Sequence, residues 1–423
     1  MFKSTYFCGS KPVRANGLEQ GVFLVRNEKN ARFAGVITCK SSWLCPVCSA
    51  RMMAKYSTEI GIAIDALAQP KYNQTAFMIT FTIPHSRNMS AYETTEILYN
   101  TWKNFVVHGN KKANSKYYVK VDGKKTMKVS DKKTTDPFSM FCEEFNCKHR
   151  VRVGEYTYGE HGWHPHFHCL FWVDNDKFKY VKDWQATLEK RWLELAKRNT
   201  LKMWNKLYPD KREKNELRLD FMYGNLDKGS HSCFISVDKT GEVIRQKSSM
   251  YICGWGADKE LTGNVQNKAS AEGHFTPRQL LEKYCEGDEK SGKLYLEYCR
   301  ATRRKKHARI NFSTRSGIKK IIAEYRKTKE YAEVMKKKAT DEAKANGIWK
   351  MVCWFKSEQW RDIYLAEQTT KFPVRLCLLK LAMLDNGRKL IEDFLLNTYN
   401  IDIRNNGEHR RVDIYADTFK FVA

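Results

Sequence analysis

Apolar residues change their period several times along the chain, and each change marks an element. Thr75–Ile83 (TAFMITFTI) gathers β-branched and aromatic residues into a short run closed by Pro84, the composition of a strand. Ser90 and Glu93 supply an S-x-x-E capping box. Beyond them Ile97, Leu98, Trp102 and Phe105 recur at helical spacing. The stretch VKVDGKKTMKV alternates around Asp122-Gly123, a pair suited to the left-handed turn of a two-residue hairpin. VRVGEYTY (151–158) alternates again and runs into EHGWHPHFHCLFWV (160–173), which predicts a second hairpin. A long amphipathic helix follows, with Trp184, Leu188 and Trp192 spaced four apart. CFISV (233–237) reads as another strand and EVIRQKSSMYICGW (242–255) as another helix. Upstream, PVCSARMMAKYSTEIGIAIDALA (46–68) reads as a helix behind a cluster of cysteines.

With the lysine-rich insertion at 108–136 set aside, the order between 75 and 237 is β-α-β-β-α-β. That order predicts an α+β fold of the split-βαβ, ferredoxin-like kind, an antiparallel sheet with helices on one face and the other left for a site. The chain then divides into residues 1–70, a zinc-binding segment and helix; residues 71–260, the core; and residues 261–423, a basic and mainly helical region.

Charge narrows the partner. Lys and Arg total 75 against 48 acidic residues, a net charge of +27. An excess of that size favours polyanions, and nucleic acid is the first candidate. The N-terminus MFKSTYFCGSKP has no apolar signal core, and the longest apolar runs, such as RLCLLKLAML (375–384), are short and broken by Lys. Thirteen cysteines without an export signal point to reduced thiols, so a cytoplasmic protein with no membrane association is expected.

Two groups of residues carry chemistry. His164, His166 and His168 stand two apart, and in a strand this places all three on one face while Phe167, Cys169 and Phe171 turn to the other. A turn centred on Glu160 and His161 sets Glu155 opposite His166, on the histidine face. Two imidazoles and a carboxylate with open positions suit a divalent ion such as Mn²⁺ or Mg²⁺ better than a closed structural zinc. The second group is Cys39, Cys45 and Cys48, whose C-x2-C knuckle is typical of structural Zn²⁺, with Cys8 the nearest fourth ligand upstream. A helix beginning at Pro46 would aim its positive end at these thiolates.

WHPHFHCLFWV (163–173) resembles the second motif of HUH endonucleases, specifically the rolling-circle replication initiators (Rep proteins) of small plasmids and phages. TAFMITFTIPHSR (75–87) resembles the first motif, and the likeness runs roughly from residue 39 to residue 320. The N-terminal cysteine followed by a C-P-x-C run is similar too. The resemblance implies metal held by His166 and His168 around Phe167, with Glu155 completing the site. His164 is a further candidate, as ligand or as a DNA contact. It also implies a tyrosine nucleophile on a helix after the last core strand. The matching position is Tyr251, with Tyr284 as second candidate among 21 tyrosines. Attack by Tyr251 would leave a 5′-phosphotyrosyl link and a free 3′-OH primer. Where the family often shows Tyr-x-x-Lys, this chain has Gly254. Where some relatives place a Glu four residues before the tyrosine, it has Lys247, which can supply charge instead.

A single-stranded or origin DNA path is expected along the lysines from Lys111 and Lys112 to Lys133, and along Arg303, Arg304, Lys305 and Lys306, with Trp163 or Tyr156 stacking on unpaired bases. No phosphate-binding P-loop is present, so a helicase would come from the host replication machinery. A transposase or mobilisation relaxase would share the chemistry. A zinc-containing DNA-binding protein without cleavage would share only the scaffold.

Overall fold

The structure is a computed structural model of the chain. The described residues run from 8 to 406, with 109–115, 130–135, 225–231, 238–272, 312–317, 341–349 and a few single positions outside them. Apart from the two-residue strands Arg14–Ala15 and Leu18–Glu19, the first elements in chain order are β1 (Val22–Arg26), β2 (Ala31–Ala34), α1 (Pro46–Ala68), β3 (Gln74–Thr82), α2 (Ala91–His108), β4 (Lys116–Val121) and β5 (Lys124–Val129). Next come α3 (Pro137–Glu144), β6 (Arg150–Gly159), β7 (Gly162–Asp174), α4 (Gln185–Leu207), α5 (Arg212–Gly224) and β8 (Cys233–Ile235). The last are α6 (Pro277–Cys285), α7 (Glu289–Thr302), β9 (Ala308–Asn311), α8 (Ile318–Tyr325), β10 (Lys350–Phe355), α9 (Ser357–Thr370), α10 (Val374–Ala382) and α11 (Gly387–Tyr399).

The chain forms two compact units, residues 42–325 and residues 1–41 with 326–423. The larger is built on a five-stranded sheet in the order β8-β3-β7-β6-β9, with every neighbouring pair antiparallel. Its local signals are the ones written in the sequence. The Ser90 hydroxyl accepts from the Glu93 N–H at 3.2 Å, and the Glu93 carboxylate accepts from the Ser90 N–H at 2.9 Å, closing the capping box of α2. Pro46 occupies the first turn of α1, where its missing N–H costs nothing. β4 and β5 pair from Lys116 with Val129 to Val121 with Lys124, the register of a two-residue hairpin.

Burial follows the alternation of the strands. Phe77, Ile79, Phe81, Phe167, Cys169 and Phe171 turn to one side and join residues of α2, α3 and α4 in a single core. Trp192 is fully buried there, and its indole N–H donates to the Thr82 carbonyl. The opposite face is not free along its length, as the sequence reading expected. Met78, Val151, Val153, Leu170 and Trp172 are buried, and α1 lies against β3. Toward the β6–β7 turn the same face carries the polar side chains of Thr80, Glu155, His166 and His168.

The smaller unit pairs β1 with both β2 and β10 in a three-stranded antiparallel sheet. Val22, Leu24 and Phe355 are covered by Trp360, Leu378, Ile391 and Leu395 from α9, α10 and α11. Beyond residue 325 the described residues are mainly helical, with the strand β10 among them. Among the described residues no helix is long and apolar enough to cross a membrane.

Candidate metal centre

The β6–β7 hairpin sets Glu155 opposite His166, Val153 opposite His168 and Thr157 opposite His164. β3 continues the pattern on the far side, with Thr82 opposite His166 and Thr80 opposite His168. Strand parity therefore brings Glu155, His166, His168 and Thr80 to one face, while Phe167 anchors β7 from beneath.

On that face three donor atoms converge. Glu155 Oε2 lies 3.1 Å from His166 Nε2 and 3.0 Å from His168 Nε2, and the two imidazole nitrogens are 3.2 Å apart. Ligands at right angles around one ion, each at about 2.1 Å, stand about 3.0 Å from each other. The triangle is the size of one face of such a coordination shell, and its donor set of two nitrogens and one oxygen fits a divalent ion. Burial opposes ionisation of Glu155, but His166 and His168 outweigh it and hold the carboxyl well below the usual range. The charged form is the one that binds a cation.

The outer contacts fit the same use. His168 Nδ1 is 3.0 Å from the Thr80 hydroxyl, which can accept the ring N–H once Nε2 is given to a metal. His166 Nδ1 is buried, with no hydrogen-bond partner among the described residues. Beside them His164 Nδ1 lies 2.7 Å from His85 Nε2. Burial, then His166, His85 and His274, push the His164 imidazole down to about 3, so it is neutral at ordinary pH.

Thr80, His85 and His274 were not singled out from the sequence. His85 lies inside TAFMITFTIPHSR, where the strand and the likeness to the first family motif are legible but a role for the histidine is not. His274 reaches the site across more than a hundred residues, and its ring fills the space above Gly159, where a Cβ would stand 2.6 Å from it.

Cys8, Cys39, Cys45 and Cys48 form a second group able to hold a metal, with their sulfurs within 4.8 Å of one another. The Cys39 N–H donates to Cys8 Sγ at 3.5 Å, and Cys45 stands at the N-cap position of α1. The residues just before Cys45 are pinned to α7: Tyr298 Oη donates to the Trp43 carbonyl, and Tyr295 Oη to that of Leu44.

Other expected site residues fall differently. Tyr251 and Lys247, like Lys111, Lys112, Arg304 and Lys306, lie outside the described residues. Arg303 follows the last turn of α7. Lys305 is engaged by Glu96 in an ion pair and stands over the Tyr99 ring. Tyr284 is exposed on α6. Trp163 and Tyr156 do not offer stacking platforms, because both are buried on the helix side of the sheet. The Tyr156 hydroxyl donates to Thr95, and the Trp163 indole donates to Glu297.

No protein-family model matches the chain, and no solved structure matches it. A neomycin resistance protein of Streptomyces cyanogenus is 29% identical over 157 residues, 37% of this chain. The match spans 35% of that protein's length.

Proposed function

We propose that the chain is a rolling-circle replication initiator of the HUH endonuclease kind, which nicks one DNA strand and later rejoins it. The observation that carries this reading is the Glu155–His166–His168 triangle, raised on a hairpin and backed by Thr80. The sheet order supports it, since β8-β3-β7-β6 is the order of a ferredoxin-like, split-βαβ sheet. So does the net charge of +27, which suits a phosphate backbone.

A divalent ion bound there, Mn²⁺ or Mg²⁺, would polarise a phosphate oxygen and offset charge developing on it. Glu155, His166 and His168 would hold it, and Thr80 would orient His168. The phenol of Tyr251, whose ordinary pKa is ~10, must lose its proton as its oxygen attacks phosphorus. The new bond joins that oxygen to the 5′-phosphate. The bond from phosphorus to the 3′-oxygen breaks, and the departing oxygen takes a proton to become a 3′-OH. The phosphotyrosyl link stays reactive, so a later 3′-OH can reverse the exchange without an outside energy source. In this reading Cys8, Cys39, Cys45 and Cys48 hold a structural Zn²⁺, and the strand-separating helicase belongs to the host.

The test is covalent capture. Single-stranded fragments of the DNA element that encodes the chain are incubated with the full protein and Mn²⁺ or Mg²⁺, and protein–DNA adducts are resolved by denaturing electrophoresis. The adduct is expected to vanish on chelation and in His168→Ala and Tyr251→Phe. An undiminished adduct in Tyr251→Phe removes that residue as nucleophile. Tight binding with no adduct in any variant identifies a non-catalytic DNA-binding protein. Neighbouring genes separate replication from transposition or mobilisation.

A further inference from the structure

His85 stands just past the end of β3, and the loop that carries it packs on the β6–β7 turn. Gly162 makes that approach possible. Its φ of +86° favours glycine, and a Cβ there would meet the Arg87 Cα at 2.9 Å. Held over the turn, His85 makes two directed contacts. Its Nδ1 is 3.1 Å from the His161 carbonyl, and its Nε2 is 2.7 Å from His164 Nδ1. The two rings cross at 67° with centroids 4.8 Å apart.

These contacts fix which nitrogens carry hydrogen. A carbonyl oxygen only accepts, so His85 Nδ1 must be the N–H. In a neutral ring Nε2 is then an acceptor, and the proton between the two rings sits on His164 Nδ1. The second nitrogen of His164, Nε2, is left with a lone pair. The His164 ring is next to the metal triangle, 5.3 Å from the His166 ring between centroids.

We propose that His85 is a positioning residue of the metal centre. It locks His164 as the Nδ1–H tautomer, so that Nε2 is offered beside the Glu155–His166–His168 face as an acceptor for a metal-bound water or a DNA hydroxyl. His85 thereby does for His164 what Thr80 does for His168. This role rests on the metal reading of the triangle, and outer partners of this sort typically change metal affinity by about 10–100-fold.

The experiment has two readouts on the full chain. The first is the long-range ¹H–¹⁵N spectrum of the histidine rings in metal-free protein at neutral pH. His164 is expected as a single Nδ1-protonated species in the wild type. The second is Mn²⁺ affinity by titration. His85→Asn keeps a donor near the Nδ1 position but has no atom where Nε2 was, whereas His85→Gln restores an acceptor there. His85→Asn is expected to lose the single tautomer and to bind Mn²⁺ about tenfold more weakly, while His85→Gln stays within about threefold of wild type. His164→Ala should show the same loss, and adding His85→Asn to it should cost nothing more. A wild-type His164 protonated at Nε2, or wild-type affinity in a folded His85→Asn, overturns the proposal. The expected tautomer with no Mn²⁺ binding to the wild type overturns the metal reading, and the positioning role with it.

Discussion

Phe167 separates the two histidines of the triangle, and its removal tests whether the site depends on the core beneath it. The ring is fully buried and packs against Tyr99 at 5.0 Å and Trp102 at 5.9 Å between centroids. The Arg152 guanidinium lies 4.1 Å above its face. Phe167→Ala loses the buried ring and leaves a cavity, a change worth about 3–5 kcal/mol. The buried cation–π contact adds about 2 kcal/mol, partly counted already in the cavity figure. A total near 5 kcal/mol is a large part of the stability of a domain, typically about 5–15 kcal/mol. The assay is urea denaturation of the full chain followed by tryptophan fluorescence, with Phe167→Leu beside it. The leucine variant keeps most of the volume and should cost no more than about 1.5 kcal/mol, with Mn²⁺ affinity little changed. A loss below about 1 kcal/mol in Phe167→Ala would refute the reasoning, because a fully packed ring cannot be removed so cheaply.

Two further outcomes follow from other parts of the molecule. Protein purified without chelator should retain zinc in near-stoichiometric amount, and Cys48→Ser should lose it; strongly substoichiometric zinc in wild type with intact thiols would count against the cysteine group as a metal site. His149, buried just before β6, is pushed down to about 4 by burial and then by Lys148, from an ordinary 6.5. Below pH 6.5 the unfolded chain takes up a proton that the folded chain refuses. Stability should therefore fall by up to about 3 kcal/mol between pH 6.5 and pH 4, and His149→Gln should flatten that slope in denaturation series; an unchanged slope would show that other groups set it.

The sequence was most legible where structure is local. The parity of His164, His166 and His168, the two-residue turn that sets Glu155 opposite His166, and the Ser90–Glu93 box each depend on neighbours within one element or hairpin. The same parity rule assigns Trp163 and Tyr156 to the buried face, so reading them as base-stacking platforms conflicted with the alternation itself. Long-range partners were not legible. VFLVR in β1 and KMVCWF in β10 are both plain apolar runs, and nothing in either says that they pair across more than 300 residues. His85 and His274 look like surface histidines in sequence, and only the fold brings them beside His164. Lys305 looked like part of a basic path, yet Glu96 and Tyr99, which engage it, come from α2.

The triangle has a consequence for how the chain reaches its folded state. Glu155, His166 and His168 belong to one hairpin, so all three donors meet once the shortest loop closure in the sheet is made. β3 and β8 must cross far longer stretches of chain before they dock. Loop closure grows costlier with length, and hairpins zip in microseconds. If the triangle holds a divalent ion as proposed, that ion would bind the nascent hairpin before the rest of the sheet exists, staple its register, and hand the later strands a finished template. Refolding with Mn²⁺ present should then be faster, not only more complete.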